Sequence, residues 1–395
     1  MSTGVDGPLI FLVAGEPSAD YLGGRLMAAL KDATGGALRF AGVGGEHMRA
    51  EGLESLFPMN DLSVMGYIEV VPRIPRLLAR IRETAAAARA LAPHAVVTID
   101  SPDFTLRVAR RLAGCGFPLI HYVAPQVWAH RPRRAARIAR FLDHVLALLP
   151  FEPPYFEAAG LPCTFVGHAV VEAGADHGDG PGFRARHGIP PQAPVLCALP
   201  GSRHGETSRH LPVFAATLER LAARFPGLEA VIPTVAPVAA EVSAVAARWP
   251  VKARVVSGTA ERFDAFAAST VALAVSGTVV VELAIAGVPT VITYRANPLT
   301  AWAARRMIRV PYVGLVNLIL DRPVMPELLQ DQCRPGMLAE AVGALLADAD
   351  ARAAQVAESR RAAEMIGLGG PPPSRRAAEA VLGIIAKSTR RARAA

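Results

Sequence analysis

Residues 271–294, VALAVSGTVVVELAIAGVPTVITY, allow very few folds, because a boundary signal stands at every change of pattern. Val271 to Val275 is an apolar run of strand length, Ser276-Gly277 reads as a tight turn, and Thr278 is a natural N-cap. The helix it opens ends at Gly287, and Pro289 bars its continuation ahead of a second apolar strand. The stretch is one βαβ unit. Open parallel sheets bind ligands at the carboxyl ends of their strands, where N–H groups at a helix start carry about half a positive charge and attract phosphate. Glu282 follows one turn later on the face of Thr278. An acid behind an anion-binding turn would repel a phosphate it pointed at, so its economical role is to accept hydrogen bonds from a ribose joined to that phosphate. Ser276, Gly277, Thr278 and Glu282 therefore suggest a nucleotide site, with an exposed Glu282 on a capped core helix as the plainer alternative.

At 395 residues the chain exceeds the size of a usual single core, which predicts two α/β domains. Hydrophobic content is 52%, yet no apolar run approaches the ~20 residues that span a bilayer, so an integral membrane protein is not expected. The run Leu9 to Val13 leads directly into GEPSAD without a basic segment before it, and reads as a first strand of a cytoplasmic protein, not as a signal peptide. Cys115, Cys163, Cys197 and Cys333 are far apart and form no CxxC, which predicts reduced core thiols and no metal site. The net charge of +8 is almost entirely arginine, since only Lys31, Lys252 and Lys387 are lysines. A basic surface favours anionic partners: phospholipid, phosphorylated substrate or nucleic acid. The last is disfavoured, because no aromatics are interleaved among the arginines to stack on bases.

In the first half, the strand Leu9 to Val13 meets the loop Glu16-Pro17-Ser18, with Ser18 expected to cap a helix from Ala19. A strand Leu38 to Val43 ends in GVGGEHM, which is not GxGxxG. Residues 62–81 are apolar, broken by Pro72 and Pro75 and punctuated by Arg73, Arg76 and Arg80; they suit a membrane interface or a buried loop and helix with snorkelling arginines. A strand Ala95 to Ile99 precedes Asp100-Ser101-Pro102-Asp103, where Ser101 as N-cap and Pro102 at the first position leave Asp103 to stabilise the helix dipole. After a strand Pro118 to Val123, Trp128 and His130 could line a pocket, and Arg131, Arg133, Arg134, Arg137 and Arg140 follow, with 133, 137 and 140 on one helical face. Residues 173–182, rich in Gly and Asp, read as a linker.

In the second half, a strand Pro194 to Leu199 runs into Gly201-Ser202-Arg203, a glycine turn with a fixed cation, the arrangement a pyrophosphate needs. Helices are expected at Leu211 to Arg224, Asn297 to Val310, Pro335 to Ala349 and Ala351 to Met365. Asn317, alone in an apolar segment, is either a turn residue or a reader of base or phosphate. The sole DxD string, Asp348-Ala349-Asp350, falls between two late helices and reads as a helix-boundary turn, not a metal site. A last helix, Ser374 to Ala386, precedes an arginine-rich tail expected to fray. The domains are then 1–172, facing acceptor and membrane; 173–368, binding nucleotide; and 369–395, packing back on the first half.

Two doubly wound halves joined by a linker, with nucleotide features in the second and a final helix after a break, resemble the GT-B glycosyltransferases. GEPSAD at 15–20, GVGGEHM at 42–48, LSVMGYIEV at 62–70, SPDF at 101–104, HYVAPQVWAH at 121–130, LPGSRHGE at 199–206, SGTVVVELA at 276–284 and PYVGLVNLI at 311–319 together resemble the lipid-A-disaccharide synthases. The resemblance implies an α/β GT-B fold with two Rossmann-like domains, an interdomain cleft and a C-terminal crossover helix. It implies transfer of a sugar from UDP-2,3-diacylglucosamine to 2,3-diacylglucosamine 1-phosphate (lipid X) with inversion, giving a β-1,6-linked lipid A disaccharide and UDP, without metal or cofactor. Gly201, Ser202, Arg203, Ser276, Gly277 and Thr278 would then hold the UDP pyrophosphate, Glu282 the ribose, and Asn317 the nucleotide. The family pattern makes Asp103 the candidate general base, with Glu16 as second acid. Ser18, Val64, Met65, Ile68, Gln126, Trp128, Arg131, Arg133, Arg134 and Arg137 would serve the lipid acceptor and the cytoplasmic face of the inner membrane, and the apolar excess makes a homodimer an option. Other readings are a nucleotide-sugar epimerase, another GT-B transferase such as the peptidoglycan one, or a non-catalytic lipid-surface or nucleic-acid-binding protein.

Overall fold

Six successive apolar residues, Leu9–Ala14, are all buried, as a parallel strand covered on both faces requires. They form β1 of a parallel sheet in a computed structural model that describes residues 7–62, 74–130, 133–297 and 310–394. The chain divides into two units, Met1–Ala169 with Gly370–Ala395, and Val170–Gly369. In the first, β2 (Arg39–Val43), β3 (Ala95–Ile99), β4 (Leu119–Tyr122), β5 (His144–Ala147) and β6 (Cys163–Phe165) complete the order β2-β1-β3-β4-β5-β6. Phe11, Val13, Val96, Val145 and Phe156 lie in its core. The last helix, Pro373–Ala394, packs on the first, Pro17–Thr34, and Arg376 donates to the Phe165 carbonyl while lying over its ring. Helical structure thus runs through the tail that was expected to fray.

The second unit repeats the design with β7 (Val195–Leu199), β8 (Glu229–Thr234), β9 (Ala253–Ser257), β10 (Val271–Val275), β11 (Thr290–Tyr294) and β12 (Glu327–Leu329), in the order β12-β11-β10-β7-β8-β9. Its core includes Leu196, Phe214, Ile232, Trp249 and Leu273. Every pairing in both sheets is parallel.

Strand order fixes where ligands can approach. The chain leaves β1 toward β2 on one side and β3 toward β4 on the other, so β1 and β3 flank the point where the winding reverses. In the second sheet the same holds for β7 and β10. At such a reversal the two connecting loops diverge and leave a crevice beyond the strand ends. The register pairs Ala14 with Ile99 and Leu199 with Ala274, which brings Glu16 near Asp100 and the Gly201 turn near Ser276.

Several boundaries differ from expectation. The first helix starts at Pro17 with Glu16 at its N-cap, so Ser18 lies in the first turn and is not the cap. Residues 173–182, expected as a linker, lie within the second unit and are structured: Ala175–His177 forms a 3-10 turn, the Asp179 side chain accepts from Gly182 N, and Asp179 N donates to Asp264. The composition suggested slack, but the acid is spent as a cap. The helix after β7 begins at His204, ahead of the expected Leu211, and Thr207 and His210 bond back to the Arg203 and Glu206 carbonyls of its first turns. The expected helix Asn297 to Val310 falls largely outside the described residues. Cys163, Cys197 and Cys333 are buried thiols, whereas Cys115 is exposed. Asp348 caps Ala349–Met365 by accepting from Asp350 N and Ala351 N, so the DxD string is a helix boundary.

Asp20 explains why GEPSAD and GVGGEHM occur together. It is 3% exposed and accepts from the backbone N–H groups of Gly45 (2.6 Å), His47 (2.9 Å) and Met48 (3.1 Å), holding the Glu46–Ala50 helix start against the first helix. Hydrogen bonds to a charged acceptor contribute about 1.5–3 kcal/mol each, and an abandoned buried donor costs about as much. Asp20→Ala is expected to destabilise the first unit by about 3 kcal/mol or more, read as a lower urea midpoint for its transition. An unchanged midpoint would show that the clamp is dispensable.

Candidate active site

In the second unit a cavity of about 710 Å³ opens at the carboxyl ends of β7, β8, β9 and β10, at the winding reversal. Gly201, Ser202, Arg203, Ser276, Gly277 and Thr278, separated by more than seventy positions in the chain, all line it. Beyond β10 the first helical bond runs from Val280 N to Gly277 O, which leaves the N–H groups of residues 277–279 without a helical partner, as at any helix start. Thr278 stands at the N-cap position, but its dihedrals are helical and its side chain makes no capping bond, which corrects the capping role expected of it.

Glu282 is not an exposed acid. It is 9% exposed, its Oε1 accepts from Arg262 Nη2 at 3.1 Å, and its Oε2 is buried without a partner. Burial pushes its pKa up, against the pull of Arg262. Arg262 itself lines the cavity, a cation the sequence reading missed because it lies on the Thr259–Ala267 helix, remote from any motif. The Gly201 turn also differs from expectation: the Ser202 N–H already donates to Glu206 Oε2 (3.0 Å), and Arg203 Nη1 lies 3.3 Å from Glu206 Oε1.

Asn317 requires a correction. It is wholly buried; its Nδ2 donates to Met325 O (2.8 Å) and Glu327 Oε1 (2.7 Å), and its Oδ1 accepts from Val324 N (2.9 Å) and Met325 N (2.8 Å). All four hydrogen-bonding places of an amide are used, which leaves nothing for a nucleotide. Glu327 in turn accepts from Val313 N and Gly314 N, so Asn317 braces the loop entering its helix. Both donors and acceptors matter, so Asn317→Asp is expected to destabilise nearly as much as Asn317→Ala, about 2–4 kcal/mol, in thermal or urea unfolding. A neutral Asp variant would remove the bracing role.

In the first unit the reversal carries acids. Asp100 follows β3 directly and, with burial first and the Glu16 carboxylate second, its pKa is raised to about 6, against the lowering bond from Ser101 N. The loops approach closely: a Cβ on Gly15 would come within 2.7 Å of Ser101 Cβ. Asp100 (φ 45°), Ser101 (φ 44°) and Val123 (φ 78°) all hold left-handed backbone at adjoining strand ends. Such conformations cost about 1–3 kcal/mol each and persist where surrounding structure enforces them. Here Asp100 N donates to Tyr122 O, Val123 N to Leu146 O, and Thr105 Oγ1 to Asp100 O. Ser101 does occupy the N-cap before Pro102, but its hydroxyl makes no cap bond and is buried without a partner. Asp103 is exposed in the first turn, where the dipole stabilises an acid anyway. The signal for Asp100 was its place directly after the strand, one turn before the acid that was singled out.

Of the acceptor-side residues, Ser18 and Gln126 are exposed, as are Arg133 and Arg137, while Arg134 is half-buried. Trp128 donates its Nε1–H to Glu152 (3.1 Å) and packs edge-on against Phe151. Burial pushes Glu152 up to about 7, opposed by the Leu149, Trp128 and Leu148 N–H bonds. Arg76 and Arg80 pair with Asp61 (2.5 and 2.6 Å), so these cations are already compensated. Val64, Met65, Ile68 and Arg131 lie outside the described residues, as does the side chain of His130. Among the described residues no group of three His, Cys, Asp or Glu side chains could hold a metal ion, and no helix is long and apolar enough to cross a membrane.

Comparison with known proteins agrees with this geometry. The fold is similar to that of UDP-GlcNAc 2-epimerase from Neisseria meningitidis bound to UDP-GlcNAc (TM-score 0.60, 12% identity, 96% of this chain and 99% of that one). It is also similar to MurG from Acinetobacter baumannii (TM-score 0.56, 15% identity, 96% and 99%). These likenesses show two-sheet GT-B architecture. In sequence the chain is 59% identical over 381 residues to the lipid-A-disaccharide synthase of Rhodospirillum centenum, covering 96% of this chain and 95% of that one. It is 53% identical to that of Paramagnetospirillum magneticum, covering 95% and 97%. The family model for lipid-A-disaccharide synthetase matches residues 10–380. With that match running from β1 into the last helix, through both winding reversals, the chain belongs to the lipid-A-disaccharide synthetase family.

Proposed function

We propose that Asp100, paired with Glu16, is the general base of this enzyme, and that the second-unit cavity holds UDP. The overall reaction follows from the family: a disaccharide-forming glycosyl transfer in lipid A biosynthesis. The substrates of our reading are UDP-2,3-diacylglucosamine as donor and 2,3-diacylglucosamine 1-phosphate as acceptor. The acceptor hydroxyl forms a bond to the anomeric carbon as the bond to UDP breaks; the electron pair leaves with UDP and the hydroxyl proton passes to the base. Inversion needs one base, on the side of the sugar opposite the leaving group.

The observation that supports Asp100 is its environment: a strained strand end beside a second carboxylate, at the ligand-binding end of the first sheet. A carboxyl with a pKa near 6 is ionised at neutral pH yet more basic than an ordinary one. The base therefore moves from Asp103, an exposed first-turn acid, to Asp100. On the leaving-group side, Arg203, Arg262 and the helix start at Gly277-Thr278 offer positive charge to the diphosphate. The unpartnered Glu282 Oε2 is suited to a ribose hydroxyl. Lipid X as acceptor, docking on the inner membrane through residues 62–81 with the exposed Arg133 and Arg137, and self-association are parts of the same reading.

Asp100→Asn is expected to lower single-turnover transfer in EDTA by ~100-fold or more with UDP affinity retained, while Asp103→Asn stays within about threefold of the parent. Equal losses in both variants would return Asp103 to the role. For the parent, kcat/KM should fall as pH drops through about 6, because the protonated acid cannot accept the hydroxyl proton. Removing the neighbouring charge in Glu16→Gln should move that limb to lower pH; a limb that stays in place would refute the pairing. Serine at Val64, Met65 and Ile68 should release the protein from anionic vesicles without altering UDP affinity, and persistent binding would put the docking surface elsewhere.

A further inference from the structure

The donors that a diphosphate needs at the Gly201 turn are already engaged by an anion from the chain itself. Glu206 lies in the first turn of the His204–Arg224 helix, lines the cavity, and is folded back over the turn with 14% of its side chain exposed. One carboxylate oxygen accepts the Ser202 N–H at 3.0 Å and the other lies 3.3 Å from Arg203 Nη1. Gly201, at φ +122°, makes room for this: a Cβ there would sit 2.5 Å from Glu206 Cβ and 2.8 Å from its Oε2. A carboxylate and a phosphate present the same kind of anionic oxygen to a backbone N–H and a guanidinium. The single Ser202 N–H cannot serve both at once, and the two anions compete for the Arg203 charge.

We infer that Glu206 is an internal stand-in for the nucleotide phosphate, which it replaces in the empty site and to which it yields when a nucleoside diphosphate enters. Loading is then an exchange of one anion for another, and affinity is lower than the donor set alone would give. After transfer the leaving diphosphate competes with a tethered carboxylate for the same N–H and cation, which favours product release. The contact also resembles a helix-end cap, in which an acid in the first turn reaches back to a preceding N–H. The two roles part company in their dependence on charge: a cap needs an acceptor oxygen, whereas a stand-in acts against a second anion because it is itself anionic.

Glu206→Gln keeps the acceptor oxygen and removes the charge. This inference rests on the nucleotide reading of the cavity, so the probes are UDP, inorganic pyrophosphate and uridine, titrated calorimetrically into the full-length parent and variant in EDTA. The expected result is a fall of about tenfold or more in Kd for UDP and for pyrophosphate, which is about 1.4 kcal/mol, with uridine binding unchanged. In pre-steady-state transfer the variant should show a burst of disaccharide followed by slower turnover, since UDP leaves more slowly. If UDP binds parent and variant equally, Glu206 is a cap only and the inference falls while the nucleotide reading stands. If UDP binds the variant more weakly, Glu206 helps to hold the nucleotide and the inference also falls. If neither protein binds UDP but the variant binds pyrophosphate more tightly, the stand-in survives and the nucleotide reading fails. If neither protein binds either anion, both fail. Should the glutamine variant prove unstable, Glu206→Ala is expected to show the same tightening toward both anions relative to uridine.

Discussion

Everything that gives this protein chemistry follows from a constraint on parallel sheets: neighbouring strands whose connections leave in opposite directions cannot both be covered at their carboxyl ends. β1 and β3 form that pair in the first sheet, and β7 and β10 in the second. The first pair presents carboxylates, Glu16 and Asp100; the second presents glycine turns, a helix start and two arginines. The same topology thus carries different side chains at its two openings, because strand order decides only where the loops diverge and side chains decide what the opening attracts.

Much of the frame was legible from residues alone. Val271–Val275 and its following turn, helix and strand stand where the Gly, Pro and apolar signals put them, because a strand buried on both faces has little freedom in composition. What could not be read was the partner of each polar group. Asn317 in an apolar segment is equally consistent with a ligand contact and a loop brace, and only the position of Glu327, ten residues on, decides between them. Asp20 is equally opaque until the Gly45 loop is folded against it. Arg262 sits on an unremarkable amphipathic helix and becomes part of the cavity only because that helix packs against β8 and β9.

Backbone strain was the other hidden quantity. Nothing in Asp100-Ser101 announces left-handed dihedrals, which favour glycine. The network around them, from Tyr122 O, Thr105 Oγ1 and the closely approaching Gly15, over-determines the conformation. The raised pKa of Asp100 follows from burial first and from the neighbouring Glu16 carboxylate second.

A paired carboxylate also favours the proposed proton transfer to Asp100. Two neighbouring anions repel, and a proton arriving at Asp100 from the acceptor hydroxyl removes one of the charges, so the pair relaxes as the base is protonated. In the proposed reaction UDP would leave carrying the electron pair of the broken bond, and Arg203 and Arg262, which line the second-unit cavity, would meet the charge that appears. On that reading, repulsion between Asp100 and Glu16 would fall while attraction between the second-unit arginines and the diphosphate would grow. Both changes arise only as the bonds exchange, which is the condition under which an interaction speeds a reaction instead of merely binding its substrates.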